Sequence, residues 1–252
     1  MDMHAVIEPL VWESDFFKVA SGRMILDPAA ATLTSAALDA FQVVQAKVAA
    51  DRPQQADALA ALGFRLVDGE IDCSLRVPSQ GGAAGDHEGL MAGAARLSDI
   101  VPYDAAPLRV AGQGDIAAVS RLAASAFRLS RFREPWYPDR ECRRFYAVWA
   151  QNAILGTFDN FCLVKGRPDA IEGMVTLRRL DVNDARIGLL AVAPAYTRRG
   201  IGRALFAGAL AWCRSQGISR LRVATQTGNL AALRLYIACG ANVDGTAYWF
   251  YR

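Results

Sequence analysis

The sequence predicts a mixed α/β protein in which helices cover both faces of one mixed β-sheet. Apolar segments with the two-residue period of strands are mixed with segments of helical period, above all in the C-terminal half. The chain has 252 residues, of which 53% are hydrophobic, and this is enough to bury a substantial core.

The N-terminal part predicts a small α/β unit. Leu33 to Asp51 predicts a helix, Gln54 to Leu62 a second helix, and Phe64 to Val77 a strand or hairpin. The Gly/Ala-rich passage that follows has no apolar periodicity, as is typical of a linker. We therefore expect three segments: an N-terminal domain at 1–78, a linker at 79–106 and a C-terminal domain at 107–252.

The C-terminal part predicts strands and helices in mixed order, separated by turn signals at 166–169 and 181–184. The predicted strands are Pro107–Ala111, Phe161–Lys165, Ile171–Leu180, Ala185–Val192, Arg220–Thr225 and Ala247–Tyr251. Four helices are predicted. The first opens at Gly114-Asp115, and the other three are Arg140–Leu155, Gly200–Gln216 and Leu230–Cys239.

One short pattern occurs in both parts of the chain. The segments 58–69 and 237–245 each combine the end of a helix, a glycine, a strand and a turn. The repetition predicts that the N-terminal domain is a degenerate half-copy of the C-terminal fold. Glycine just after a helix is common, so chance similarity is an equal alternative.

Composition excludes several classes of protein. The net charge of +3 is too small for a nucleic-acid-binding surface. Five scattered cysteines and two histidines predict neither a disulfide framework nor a metal site. No run approaches the ~18 apolar residues of a membrane span, and the start lacks a signal-peptide pattern. We expect a cytoplasmic protein without membrane insertion.

A basic, glycine-containing turn joins a predicted strand to a predicted helix. The strand ends with Leu190, Ala191 and Val192, and the turn and first helical residues are Arg198, Arg199, Gly200, Ile201, Gly202 and Arg203. Glycines permit close approach of the backbone, and the unpaired N–H groups and dipole of a helix N-terminus attract a pyrophosphate. An ordinary strand-to-helix turn is the alternative.

A second pattern places four residues on one face of a predicted helix, namely Asn229, Ala232, Tyr236 and Gly240. Asn229 suits the N-cap of this helix, and Tyr236 offers a hydroxyl group. A buried structural tyrosine is the alternative interpretation.

Together these two patterns resemble the signature of the GNAT superfamily of acetyl-CoA-dependent N-acetyltransferases. The resemblance covers about Leu108 to Arg252 and implies a sheet that splays after the strand ending at Val192, where acetyl-CoA inserts. It further implies that a backbone N–H near Val192 polarises the thioester carbonyl and that Tyr236 donates a proton to the sulfur. Thr197 departs from the usual Arg or Gln of this family, which leaves Arg198, Arg199 and the backbone to hold the pyrophosphate.

Longer runs resemble the nucleotide-sugar N-acetyltransferases of this superfamily, namely 7–17, 130–137, 156–159, 221–226 and 248–252. This resemblance implies N-acetylation of dTDP-4-amino-4,6-dideoxy-D-galactose for a surface polysaccharide, as in enterobacterial common antigen synthesis. We also expect a homodimer. Acetylation of another amine, such as a different amino sugar, an antibiotic or a protein N-terminus, is one alternative. A non-catalytic acyl-CoA-binding regulatory protein is another, although Tyr236 argues against it.

Candidate substrate contacts lie in an Arg-aromatic run. Arg131 and Arg133 suit a diphosphate, and Phe132, Trp136 and Tyr137 suit a base or a sugar face. A solvated loop is the alternative interpretation for this run.

The general base is expected in the N-terminal domain, where Asp68 and Glu70 could accept the proton of the sugar ammonium directly or through water. Both residues could instead belong to a turn.

Overall fold

The computed structural model describes residues 3–78 and 108–252. Its N-terminal elements are β1 (Ala5–Pro9), α1 (Val11–Phe17), β2 (Ser21–Leu26), α2 (Ser35–Asp39), β3 (Val43–Ala49), α3 (Pro53–Ala61) and β4 (Arg65–Arg76). The predicted linker at 79–106 lies outside the described residues, and the division into two domains stays a prediction.

After residue 107 the elements follow the predicted order closely. They are β5 (Arg109–Val110), α4 (Ile116–Ala126), α5 (Asp139–Leu155), β6 (Phe161–Arg167), β7 (Ala170–Arg179), β8 (Asp184–Val192), α6 (Ile201–Ser215), β9 (Arg220–Gln226), α7 (Leu230–Ala238) and β10 (Asn242–Tyr251). In the described residues, strands from both parts of the chain form a mixed sheet of ten strands in the order β1-β2-β3-β10-β4-β9-β8-β7-β6-β5. The predicted fold class is confirmed.

The predicted helix from Leu33 to Asp51 is wrong. Helix α2 ends at Asp39, and Val43–Ala49 forms strand β3 instead. This strand is paired on both sides, with β2 and with β10, and Val44 and Val48 are buried against α2 and α3 in a small apolar core. Sheet pairing and the preference of valine for strands outweigh the helical pattern here. The first three elements, β1, α1 and β2, were not predicted.

The two segments with a repeated pattern adopt the same local structure. Gly63 follows α3 with φ +85°, and Gly240 follows α7 with φ +89°, a backbone conformation that favours glycine. The strands that follow, β4 and β10, are direct neighbours in the sheet and pair antiparallel. Strand β10 therefore lies between β3 and β4.

Helices cover the two faces of the C-terminal half of the sheet. On one face, residues of α6 such as Leu205 and Phe206 pack against Leu177, Ile187 and Leu221. On the other face, α4 and α5 contribute Val119 and Phe145 to a core that includes Met174 and Leu189. We call these the α6/α7 face and the α4/α5 face.

Strands β8 and β9 are parallel, and they separate from each other part of the way along. Their pairing runs over four residue pairs, from Asp184 opposite Arg220 to Ile187 opposite Val223, and then stops although both strands continue. At the paired end, Arg220 Nε and Nη2 donate to the Asp184 carboxylate at 2.5 and 2.7 Å, and Arg222 Nε donates at 3.0 Å. The predicted splay is therefore present and begins five residues before Val192.

On its other side, β8 contains a bulge at the point where the splay begins. Leu177 pairs with Ile187 and Val175 with Leu190, so both Gly188 and Leu189 lie opposite Thr176. The Thr176 hydroxyl accepts a hydrogen bond from the Leu189 N–H at 2.9 Å and donates one to Asp159 at 2.6 Å. This satisfies the backbone donor that the bulge removes from the strand ladder.

The carboxylate of Asp159 is the support of this bulge. Asp159 is fully buried, and the indole N–H of Trp149 donates to it at 2.8 Å. A Cβ on Gly188 would lie 2.3 Å from Asp159 Oδ2, so only glycine allows this approach. The path of β8 beyond Ile187 is thus fixed by packed side chains.

We predict that Asp184→Asn loosens the paired end of β8 and β9. The hydrogen bonds from Arg220 and Arg222 lower the pKa of Asp184, so its folded-state pKa lies below the unfolded value of about 3.9. The stabilisation is therefore complete above the unfolded pKa and is lost as pH falls through the folded pKa. Both guanidinium groups are half-exposed, so we expect a loss of about 1–2 kcal/mol at pH 7.

The measurement is urea unfolding of both proteins at pH 7, 4 and 3. The difference in unfolding free energy between parent and variant should shrink as the pH falls. An equal difference at all three pH values would show that the ion pairs contribute nothing.

Candidate active site

A cavity of about 1950 Å³ extends from the splay between β8 and β9 across the α4/α5 face to the start of α1. It has two halves. We call the one at the α6 and α7 N-termini the coenzyme half, because residues predicted to bind the coenzyme line it. We call the one over the sheet between β2 and β7 the acceptor half.

The turn that is predicted to bind a pyrophosphate contains two residues with positive φ. Gly200, at the N-cap of α6, has φ 75°, and Arg198 has φ 65°. Helix α6 has 15 residues, and its first N–H groups have no partner within the helix. Gly202 faces α7, where a Cβ would lie 3.0 Å from the side chain of Leu235. The helix N-terminus can therefore hold an anion at close range.

The second predicted face of the coenzyme half is that of α7. The side chain of Asn229 accepts a hydrogen bond from the Ala232 N–H at 3.2 Å and caps the helix. Tyr236 is 5% exposed and lines the cavity, and within residues 3–78 and 108–252 its hydroxyl has no hydrogen-bond partner. Burial raises the pKa of Tyr236, so the hydroxyl keeps its proton at neutral pH.

Most of the predicted coenzyme residues lie together at the cavity wall. Those that line it are Leu190, Ala191, Val192, Arg198, Gly200, Ile201, Gly202, Arg203, Asn229 and Tyr236. Arg199 does not, and its guanidinium lies 5.4 Å from the ring centre of Tyr196.

The floor of the acceptor half is a row of charged residues on neighbouring strands. They come from β2, β3, β4, β8 and β7 and comprise Arg23, Lys47, Glu70, Arg186 and Arg178. Lys47 and Glu70 face the same side as Trp249, because β10 pairs with both β3 and β4 in register. Two parts of the chain thus build one surface.

Glu70 is held in a defined position at this floor. Its carboxylate accepts from Lys47 Nζ at 2.6 Å and from the indole N–H of Trp249 at 3.0 Å. Burial disfavours its charge, but the hydrogen bond and charge of Lys47 together with the indole outweigh burial and lower its pKa. Glu70 is therefore ionised at neutral pH.

Asp68, the other predicted base, does not line the cavity. Its carboxylate accepts a hydrogen bond from the Gly69 N–H at 2.8 Å, and burial raises its pKa. Its role as the base stays a prediction.

Of the predicted substrate residues, two line the cavity. Arg131 donates to Gln45 at 2.7 Å and to the Tyr251 hydroxyl at 2.5 Å. Its guanidinium lies 4.1 Å from the ring centres of both Phe132 and Trp249. Phe132 also lines the cavity, at the same wall.

The other three predicted substrate residues lie behind that wall. Arg133 donates to the Val67 carbonyl, and the ring of Trp136 packs against Tyr251. Tyr137 is buried, and its hydroxyl accepts from Gln45 at 2.8 Å. These contacts support the position of Arg131, and direct substrate contacts of these three residues stay predictions.

Several cavity residues were missed from the sequence. Trp12, Arg23, Lys47, Phe158 and Arg178 come from five different elements and connections. Trp12 and Phe158 fall in runs that resemble the nucleotide-sugar enzymes, but nothing in their spacing predicts that the two rings meet.

No helix in the described part of the chain is long and apolar enough to cross a bilayer. That part also contains no group of three His, Cys, Asp or Glu side chains arranged to hold a metal ion.

Known proteins with similar sequences are acetyltransferases. The model of the acetyltransferase (GNAT) family matches residues 124–241. The chain is 44% identical to dTDP-fucosamine acetyltransferase of Escherichia coli O6:H1, and the match covers 100% of both chains.

Solved structures share the fold at low identity. A GCN5-related N-acetyltransferase from Kribbella flavida superposes with a TM-score of 0.59 at 14% identity, covering 99% of this chain and 89% of that one. A functionally unknown protein from Staphylococcus epidermidis superposes with a TM-score of 0.63 at 12% identity, covering 100% and 92%. With the family match and the full-length similarity, this shows that the chain belongs to the GNAT family of acetyltransferases.

Proposed function

We propose that this enzyme transfers the acetyl group of acetyl-CoA to the 4-amino group of dTDP-4-amino-4,6-dideoxy-D-galactose, for a surface polysaccharide such as enterobacterial common antigen. The observation that carries the proposal is the 44% identity to dTDP-fucosamine acetyltransferase over the whole of both chains. The extent of the cavity supports it, because one cavity of about 1950 Å³ includes both the acceptor half and the coenzyme half.

The residues of the coenzyme half suit acetyl-CoA. The N–H groups at the start of α6, with Arg198 and Arg203, would hold the pyrophosphate. The edge of β8 from Gly188 to Val192 has lost its partner β9, so backbone groups along this edge are free to bond the pantetheine arm. The acetyl group would then reach the α4/α5 face through the gap.

The acceptor amine reaches the site as an ammonium ion and must lose a proton before it can attack. Glu70 is ionised, lies on β4 next to the open end of β9, and would accept this proton directly or through one water. Its lowered pKa makes it a weak base, so the charged environment must also lower the pKa of the amine. The pairs of Glu70 with Lys47 and Trp249 fix the carboxylate for this step.

The amine nitrogen then forms a bond to the thioester carbon. A free N–H of β8 would donate to the carbonyl oxygen and stabilise the oxyanion. When the intermediate collapses, the carbon–sulfur bond breaks, and Tyr236 would donate its proton to the departing thiolate. The nitrogen loses its second proton in the same step, and water would carry that proton to the tyrosinate and restore Tyr236. The products are the N-acetylated sugar nucleotide and coenzyme A, and no acyl-enzyme is needed.

The reaction is expected in the cytoplasm, where acetyl-CoA is available, and a homodimer is the expected assembly. Light scattering of the purified protein measures the latter directly.

The proposed substrate is tested by release of free thiol from acetyl-CoA across a panel of nucleotide-linked amino sugars. We expect the highest kcat/KM with dTDP-4-amino-4,6-dideoxy-D-galactose. A higher value with a different amine would assign the enzyme to another acceptor, and no turnover with any amine would favour a binding protein.

We predict that Tyr236→Phe lowers kcat about 10²- to 10⁴-fold while acetyl-CoA affinity and fold are retained. Phenylalanine keeps the ring that packs 5.9 Å from Phe206 but removes the proton. Stopped-flow thiol release and calorimetric binding of acetyl-CoA measure the two effects separately. A parental kcat would remove Tyr236 from the mechanism and leave thiolate protonation to water.

We predict that Glu70→Gln lowers kcat/KM by a similar factor, since the amide cannot accept the proton. Lys47→Met should act differently, because loss of the cation raises the pKa of Glu70. The acidic limb of kcat/KM against pH would then move to higher pH. An unchanged pH profile in Lys47→Met, or parental activity in Glu70→Gln, would exclude Glu70 as the base.

A further inference from the structure

Two arginines lie directly opposite each other on neighbouring strands of the acceptor half. Arg178 of β7 and Arg186 of β8 are register partners, and both line the cavity. Directly opposed residues of an antiparallel pair have Cβ atoms about 5 Å apart, and like charges in this arrangement repel. An anion between them would remove this repulsion.

Neither of these arginines has an anionic partner at hydrogen-bond distance. Arg178 Nε lies 3.8 Å from Asp159 Oδ1, and both atoms are buried without a hydrogen-bond partner. Arg186 makes no hydrogen bond or ion pair with any residue in 3–78 and 108–252. The neighbouring Asp184 is already bound to Arg220 and Arg222. Two guanidinium groups are thus available to a ligand in the cavity.

The cations at the β3 end of the floor are already engaged. Lys47 binds Glu70 at 2.6 Å and Asp72 at 2.8 Å. Arg131 donates to Gln45 and Tyr251 and is enclosed by two rings. Among the five charged residues of the floor, Arg23 is comparable to the β7–β8 pair, because its Nε is buried and without a hydrogen-bond partner.

A flat apolar surface adjoins the arginine pair. The ring centre of Phe158 lies 4.9 Å from the Arg178 guanidinium and 6.2 Å from the ring of Trp12, with an angle of 15° between the two rings. Both rings line the cavity, and Trp12 is 46% and Phe158 41% exposed. Exposed aromatic faces next to paired cations suit a planar base joined to a diphosphate.

We propose that Arg178 and Arg186 bind the diphosphate of a nucleoside diphosphate, with its pyrimidine base against Phe158 and Trp12. This inference rests on the proposed function and assigns the nucleotide half of the acceptor. Arg186 and Glu70 line the same cavity, and the charge of Arg186 helps to lower the pKa of Glu70. A sugar linked to the diphosphate then places its amine between Glu70 and the gap of the sheet.

The test uses calorimetric binding of dTDP to the full-length protein and to Arg178→Met and Arg186→Met. We expect the Kd for dTDP to rise at least about tenfold in each variant, as loss of a charged hydrogen bond requires. The Kd for acetyl-CoA should stay parental, which also shows that the variants are folded. Arg179→Met is the matched control, since Arg179 is exposed, bonds only to loop carbonyls and does not line the cavity.

A truncated substrate separates binding of the nucleotide from general damage. The loss of kcat/KM in Arg178→Met should be at least about tenfold larger on the nucleotide sugar than on the methyl glycoside of the same amino sugar, which has no nucleotide. On the nucleotide sugar, the variant should be slower, chiefly through a higher KM.

Parental affinity for dTDP in both variants would overturn the inference. Arg23→Met is measured alongside them, and a loss of dTDP affinity confined to this variant would also overturn it, because the diphosphate would then lie near β2. A parent enzyme that neither binds dTDP nor acetylates a dTDP-sugar would instead refute the proposed function itself.

Discussion

The parting of β8 and β9 is the constraint on which the rest of the structure depends. Two parallel strands normally stay paired for as long as both continue. A gap therefore needs one interaction that holds the strands together where they are paired and another that keeps them apart beyond that point. Asp184 serves the first purpose through Arg220 and Arg222. The bulge at Gly188, supported by Thr176 and the buried Asp159, serves the second. The proposed chemistry depends on the backbone donors of β8 that have no partner on β9 in the interior of the sheet.

The gap also connects two surfaces that could not otherwise meet. The proposed coenzyme site lies at the N-termini of α6 and α7, whereas the charged floor with Glu70 lies on the α4/α5 face. Glu70 belongs to the N-terminal part of the chain, while its partner Trp249 and the gap belong to the C-terminal part. The proposed catalytic arrangement therefore exists only when both parts share one sheet.

The sequence predicted best what is local in the chain. The turn at Gly200 and the face of Tyr236 depend on spacings within one helix or turn, and both have the predicted geometry. The prediction was wrong for strand β3, because this segment forms a strand through pairing with β2 and β10. Local sequence patterns contain no information about such pairing. The same holds for Lys47, Arg178 and Arg186, since only strand register brings them to one floor. Arg131 was predicted from the sequence as a substrate contact, and it lines the cavity. Its hydrogen bonds to Gln45 and Tyr251 could not be predicted from the residues adjacent to it in the sequence.

The position of β10 has a consequence for the order of events during synthesis. Strands β3 and β4 leave the ribosome early, yet each must pair with β10, which is translated after every other strand of the sheet. Until then both expose an unpaired edge, and Trp249 is missing from the space between Lys47 and Asp68. Pairing between such distant segments is slow, and nascent chains with open strand edges aggregate readily. Expression yield should therefore respond to chaperone supply and growth temperature more than the stability of the finished protein would suggest.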